Sequence, residues 1–297
     1  MNFRNKAGEW LGRATGTPPG SLTISRLKGS TSSSVFLVQH GPQQFVLRVL
    51  DNAEWLAEEP DLAAHEAAAL DEAQRAGLPA PRLVAYSSAD AGFGAPVVLM
   101  SFIEGNVELR PSRVPLWLTA LAESLAAIHR HRAEEFPWRF RSWVDKAMLA
   151  VPSWTTVPQL WERAIERSLG DEPPYQTVFI HRDYHPTNVL WQDGKVSGVV
   201  DWINACQGPA GVDVAHCRTN LALMSGPAAA DGFLHTYCEA ARGFVYDPYW
   251  DIDSLLDMCL SGPSFYGPWQ EFGLEVIAPE TLRLRVDDYL KSVMRRA

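Results

Sequence analysis

Asp183, Asn188 and Asp201 are the residues whose types and spacing offer chemistry in this sequence. They lie in His181-Arg182-Asp183-Tyr184-His185-Pro186-Thr187-Asn188-Val189-Leu190-Trp191, followed closely by Val199-Val200-Asp201-Trp202. An Asp, an Asn five residues on and a second Asp ending an apolar run can converge on a metal-bound phosphate. Asn188 and Asp201 together could hold Mg²⁺, a hard cation that takes one or two protein oxygens and completes its shell with water and phosphate. Asp183 is then free to accept a proton from an incoming hydroxyl. Phosphoryl transfer is the chemistry this set implies.

The elements that must position these groups are legible around them. Residues 177–180, Thr-Val-Phe-Ile, read as a strand feeding a loop. Residues 189–191 and 196–200 read as two strands joined by Gln192-Asp193-Gly194-Lys195, in which Asp-Gly is a strong hairpin signal. The hairpin carries Asn188 at its start and Asp201 at its end, so antiparallel pairing predicts that they lie side by side. Taken singly, each of these residues is more often a loop Asp, a helix cap or a turn Asn. The ordered set carries the argument.

His181-x-Asp183-x-x-x-x-Asn188 followed by Asp201 resembles the catalytic loop and metal-binding motif of protein kinases. His185-Pro186 within the loop and Asp201-Trp202 are similar to the aminoglycoside phosphotransferase family, which includes kinases of choline, homoserine and other small hydroxylated molecules. Arg182 departs from the Gly usual there and matches the protein-kinase form. The resemblance implies a two-lobed protein-kinase-like α+β fold. Residues 1–101 would form an N-terminal sheet lobe with one helix, 102–106 a hinge, and 107–297 a mostly helical C-terminal lobe with the catalytic and acceptor sites.

After a turn expected at residues 18–20, residues 22–27, 35–39 and 44–50 read as three short strands. The loop between the first two carries Gly29, Ser30, Thr31, Ser32 and Ser33, which by resemblance close over nucleotide phosphates. It lacks the protein-kinase G-x-G-x-x-G, having Gly29 alone, and a Ser-rich hairpin loop is more often simply solvated. Residues 45–50 resemble the strand bearing the phosphate-binding Lys, here replaced by Arg48, whose fork of donors suits phosphate or carboxylate. Residues 61–76 read as an Ala-rich helix stopped by Gly77 and Pro79. Glu66 within it is the carboxylate the resemblance pairs with Arg48, although Glu72 is also available. Residues 83–86 and 96–101 complete the sheet. Met100, Ser101, Phe102 and Ile103 follow as the implied hinge, with backbone groups for the adenine and Met100 behind the base.

From residue 115 the pattern turns helical. Leu118, Leu121, Leu125 and Ile128 mark one buried face over residues 116–131, with His129 read as structural. Residues 157–169, 212–224, 227–242, 248–260 and 279–296 read as further helices. By resemblance Asp213 buttresses the backbone of the catalytic loop. Asp247, Asp251, Asp253, Asp257, Glu271 and Glu275 offer a polyamine-like acceptor some charge, yet read better as solvated helix faces. Trp250, Phe265, Tyr266 and Trp269 are candidates to line a pocket for a larger acceptor such as a macrolide.

Composition sets the outer limits. The chain has 297 residues, 46% hydrophobic and 21% charged, as expected of a globular protein large enough for two lobes. A net charge of -9 argues against a general nucleic-acid binder. Four scattered cysteines suggest buried thiols rather than zinc or a disulfide framework. Arg4, Lys6 and Arg13 lie near the N-terminus without the apolar core of a signal peptide, and no run reaches the length of a membrane span, so a cytoplasmic protein is expected. The expected cofactors are Mg²⁺ and ATP or GTP, and the expected partner is a hydroxylated small molecule, an aminoglycoside or macrolide antibiotic being one candidate. A metabolic kinase of choline, homoserine or sugar type, a nucleotide-binding pseudokinase and a protein kinase are the alternatives; absence of an Ala-Pro-Glu segment argues against the last.

Overall fold

A computed structural model describes residues 5–18 and 20–297. Arg4 and the Pro19 of the expected turn lie outside the described residues. The chain forms two compact units: one takes it up to Asn106 together with Leu190–Gln192 and Ser197–Ala205, the other takes Val107–Val189, Asp193–Val196 and Cys206–Ala297.

The first unit contains α1 (Asn5–Thr15), β1 (Thr23–Arg26), β2 (Ser34–His40), β3 (Gln43–Val49), α2 (Ala53–Glu58), α3 (Leu62–Arg75), β4 (Leu83–Ser87) and β5 (Val97–Ser101). The strands form an antiparallel sheet in the order β1-β2-β3-β5-β4. Because side chains alternate along a strand, the sheet has two unlike faces. Phe36, Val38, Leu47, Val49, Val97 and Leu99 form one apolar face with Leu11 of α1, against which Trp10 and Phe93 also pack. Arg48, between Leu47 and Val49, therefore points to the opposite face, where α3 presents Glu66. Sequence reading expected one helix here; α1 and α2 accompany α3.

The chain continues through β6 (Asn106–Val107), α4 (Val114–His129), α5 (Pro158–Leu169), β7 (Thr177–Ile180), β8 (Val189–Gln192), β9 (Lys195–Val199), β10 (Cys206–Pro209), α6 (Ala210–Ser225), α7 (Pro227–Ala240), α8 (Pro248–Cys259), α9 (Gly267–Glu271) and α10 (Pro279–Met294). The β8–β9 turn has Asp193 at φ 52 and Gly194 at φ 74, the left-handed pair that matches strand twist in a two-residue hairpin. β6, β8 and β9 form a sheet in the order β6-β8-β9, and β7 pairs antiparallel with β10.

In the second unit α6 is buried around its whole circumference, with α4, α7, α8 and α10 packed on it. Such a helix needs polar residues only where partners await them. Arg218 is fully buried, pairs with Asp251, and reaches Asp231 at 2.9 Å and the Tyr246 hydroxyl at 3.1 Å. Asp251 also accepts from the Tyr289 hydroxyl at 2.6 Å. That ion pair joins α6 to α8 and removes Asp251 from any acceptor-binding set. Trp250 and Trp269 are likewise core residues.

Candidate active site

In the first unit one guanidinium organises the predicted groups. Arg48 Nε lies 3.0 Å from Glu66 Oε2, its Nη2 lies 3.0 Å from Asp201 Oδ1, and its Nη1 donates to Ser33 Oγ at 3.0 Å. Glu66, not Glu72, is thus the partner of Arg48; Glu72 pairs with Arg75. Burial pushes the Glu66 carboxyl up to about 7, with Arg48 pulling the other way and Asp201 adding to the rise. Against the cost of its own burial, Arg48 is held above its ordinary value by Asp201 and Glu66.

Asp201 itself has φ 69, a left-handed conformation that costs a non-glycine residue about 1 kcal/mol or more and collects at functional sites. Its neighbours hold it there. The Val199 amide donates to Pro79 O at 2.7 Å, Trp202 Nε1 donates to Val199 O at 2.8 Å, and His65 Nε2 of α3 meets Ala205 O at 2.6 Å. A Cβ at Gly198 would stand 2.7 Å from Ile103 Cδ1, so any side chain there would have to displace Ile103.

Of the predicted loop, Gly29 has φ 87, Ser30 Oγ donates to Ser33 O, Thr31 is exposed and Ser32 half-buried. Ser33 is buried on Arg48, so it supports the cation as well as ending the loop. Met100 is buried in β5, paired in register with Val46 and Leu83. The Ser101 amide donates to Arg82 O at 2.8 Å and its hydroxyl accepts from the Arg82 amide at 2.9 Å, while the Phe102 amide reaches Gln44 O at 3.4 Å.

In the second unit the loop after β7 is set from behind by Asp213, in the first turn of α6. Its carboxylate accepts from the backbone amides of His181 and Arg182, each at 2.7 Å, and from His129 Nε2 at 3.0 Å. The remaining nitrogen of His129, Nδ1, lies 2.6 Å from the Tyr237 hydroxyl. Desolvation opposes ionisation of Asp213, but His129, His181 and the loop amide outweigh it and lower its pKa. Tyr184 adds a second anchor, donating to Leu121 O of α4 at 2.9 Å.

Arg182 stands at φ 75, which accounts for a glycine being usual there. Its guanidinium compensates by donating to Arg141 O at 2.7 Å and lying over Trp143 at 3.7 Å and Phe140 at 4.6 Å from the ring centroids.

Asp183 and Asn188 meet. Asn188 Nδ2 donates to Asp183 O at 2.9 Å and to Asp183 Oδ2 at 3.1 Å, from the short 3₁₀ turn Pro186–Asn188. The other carboxylate oxygen, Oδ1, faces His216 Nε2 at 3.1 Å and His185 Nε2 at 3.5 Å. Burial alone would raise the Asp183 pKa; His185, His216 and His181 outweigh it and hold the carboxyl well below the usual range. His216 escaped the sequence reading. The available signal was Asp213-Val214-Ala215-His216, whose ends share a helix face at a spacing of three residues. Tyr266, read as an acceptor-pocket candidate, has its ring 5.9 Å from that of His185. Of the acidic candidates, Asp247 caps α8 and Asp253 accepts from Ser142 Oγ at 2.8 Å.

Residues 23–249 match the model of the phosphotransferase enzyme family, and the chain belongs to that family. A homoserine kinase of Chelativorans sp. (strain BNC1) is 28% identical over 143 residues, which cover 42% of this chain and 41% of the relative. The match thus spans about two-fifths of that relative's length. Among solved structures, a Ralstonia eutropha JMP134 chain provisionally assigned as an aminoglycoside phosphotransferase superposes with TM-score 0.66 at 15% identity, covering 100% of both chains. The macrolide 2'-phosphotransferase of Brachybacterium faecium gives 0.60 at 18% identity, covering 83% of this chain and 86% of its own. These likenesses show the protein-kinase-like α+β fold. No helix among the described residues is long and apolar enough to cross a membrane.

Proposed function

We propose that this chain moves the γ-phosphoryl group of ATP or GTP to a hydroxyl of a small molecule. The observation that carries the reading is the Asp183 carboxylate, held ionised against Asn188 on a loop whose backbone Asp213 clamps. In this reading Asp183 orients the acceptor hydroxyl and takes its proton. So low a pKa makes it a weak base, which suits a loose transition state in which the hydroxyl loses its proton late and positioning matters most.

Asn188 and Asp201 are the residues we assign to a hard cation, on the chemistry of their oxygens. Asn188 spends its amide nitrogen on Asp183, leaving Oδ1 as the ligand atom, and Asp201 spends Oδ1 on Arg48, leaving Oδ2. When bound through these oxygens, Mg²⁺ would neutralise charge on the nucleotide phosphates. Arg48, oriented by Glu66, and the Gly29 to Ser33 loop are assigned to the phosphates. Met100, Ser101, Phe102 and Ile103 are assigned to the base. Residues 1–101, 102–106 and 107–297 are the corresponding functional divisions.

For the acceptor, an aminoglycoside or macrolide hydroxyl is the first reading, supported by family membership and the kinship in fold. A small amino alcohol is the second, supported by the partial match to homoserine kinase. The test is Mg²⁺-dependent release of ADP or GDP across aminoglycosides, macrolides, amino alcohols and sugars. Turnover with one acceptor class identifies the reaction and substrate together. Nucleotide binding with no turnover for any acceptor would favour a pseudokinase.

A further inference from the structure

Asp183, His185 and His216 bring three metal-competent atoms within 4.8 Å of one another. Two are imidazole nitrogens, which a hard cation such as Mg²⁺ has little use for and which zinc-class cations favour. We infer that these residues form a three-ligand site for a borderline-soft divalent cation, Zn²⁺ foremost, chemically separate from the oxygen pair assigned to Mg²⁺.

The geometry is close to that of a bound site. Ligand bonds of about 2.0–2.1 Å in a tetrahedron put neighbouring donors about 3.3 Å apart. Asp183 Oδ1 lies 3.1 Å from His216 Nε2 and 3.5 Å from His185 Nε2. The third edge, between the two imidazoles, closes by at most about 1.5 Å to match, within reach of a ring rotation. The rings already meet edge to face, with centroids 5.7 Å apart.

Access and rigidity also fit. The His185 side chain is 6% exposed and that of His216 16%, whereas Asp183 is 30% exposed, so the cluster is fixed at its back and open on the carboxylate side. Three protein ligands with a fourth position open to water is an established arrangement for zinc. His216 is carried by the buried α6, and His185 stands at the head of the short turn that bears Asn188, so neither ligand is on a free loop.

One consequence rests on the proposed phosphotransfer. Zn²⁺ on Asp183 Oδ1 would occupy the carboxylate that orients the acceptor, making the site a brake on turnover. The metal site itself does not depend on that reading.

The experiment is titration of the purified chain with Co²⁺, without nucleotide, read by visible absorption and by competition with Zn²⁺. A Cys238→Ser background removes the one exposed thiol among the described cysteines. The expected result is one saturable equivalent with the intense bands of tetrahedral Co²⁺, displaced by Zn²⁺. His216→Asn and Asp183→Asn should each weaken binding by about 100-fold or more, since even outer partners of a ligand account for 10–100-fold. His235→Ala, at an exposed histidine on α7, should leave binding intact. Circular dichroism and a melting curve for His216→Asn separate loss of a ligand from loss of fold; if that variant is unfolded, His185→Gln takes its place. No saturable cobalt band, or a band that survives the ligand substitutions in folded protein, overturns the site. With an active acceptor in hand and Mg²⁺ in excess, Zn²⁺ should inhibit wild type over the concentrations at which it displaces Co²⁺; turnover unchanged at saturating Zn²⁺ overturns the brake alone.

Discussion

Arg182→Ala and Arg182→Gly, compared as a pair, test how the loop after β7 is held. The wild-type side chain donates to Arg141 O at 2.7 Å, a charge-assisted bond of about 1.5–3 kcal/mol. It also lies over Trp143 at 3.7 Å, a half-exposed cation–π contact of about 0.5–2 kcal/mol. Against these stands φ 75, which costs an L-residue about 1–2 kcal/mol. The contacts exceed the strain, so both substitutions should destabilise. Alanine loses the contacts and keeps the strain, which predicts a loss of about 2–5 kcal/mol. Glycine relieves the strain but has more backbone freedom to lose, about 0.5–1 kcal/mol, leaving it about 0.5–1 kcal/mol more stable than alanine. Urea denaturation of the three proteins at one pH measures this. An alanine variant as stable as wild type, or a glycine variant no better than alanine, would refute the reasoning.

Two further outcomes follow from the same geometry. Asp213→Asn places an amide where His181, Arg182 and His129 present hydrogens, so it should cost about 3 kcal/mol in urea denaturation. It should also slow turnover by about 100-fold, because a loop displaced by about 1 Å misaligns the acceptor; a variant that melts earlier at full turnover would uncouple Asp213 from positioning. Glu66 carries a pH signature of the less usual sign. Its folded pKa, about 7, lies above the unfolded value of about 4.3, so the native state binds the extra proton between them. Wild type should therefore lose stability relative to Glu66→Gln as pH rises from about 4.3 to about 7, and denaturation midpoints in parallel with no drift would contradict that.

The segment from β7 to Asp201 is unusually legible because local rules and tertiary demands agree there. The strand expected over residues 177–180 is β7, and the Asp-Gly signal gives the left-handed pair Asp193 and Gly194 between β8 and β9. The helix expected over residues 61–76 is α3, stopped at Gly77 with φ 67. Glu66 meets Arg48 because alternation along β3 sends Arg48 to the face that α3 covers.

What stayed hidden depended on distant partners. β10, Cys206–Pro209, contains a Gly-Pro pair that reads as a loop, yet it pairs with β7; a Cβ on Gly208 would stand 2.7 Å from Phe140 Cβ and Ile180 Cδ1, so the close approach requires glycine. α1 went unread because its apolar residues find their purpose only in the sheet, where Leu11 is buried. His216 looks like any helical histidine until α6 carries it to Asp183. Asp251 looks like a solvated charge until Arg218 appears beside it in the core. Sequence periodicity reports which face is buried, not which polar residue on that face has a partner.

The most direct test of the account is turnover of Asp183→Asn beside wild type, with the acceptor found by the panel and nucleotide affinity measured in parallel. The account predicts a fall in kcat of about 100-fold or more with nucleotide binding retained, the scale of a lost positioned base. A folded Asp183→Asn protein that turns over at the wild-type rate would contradict it.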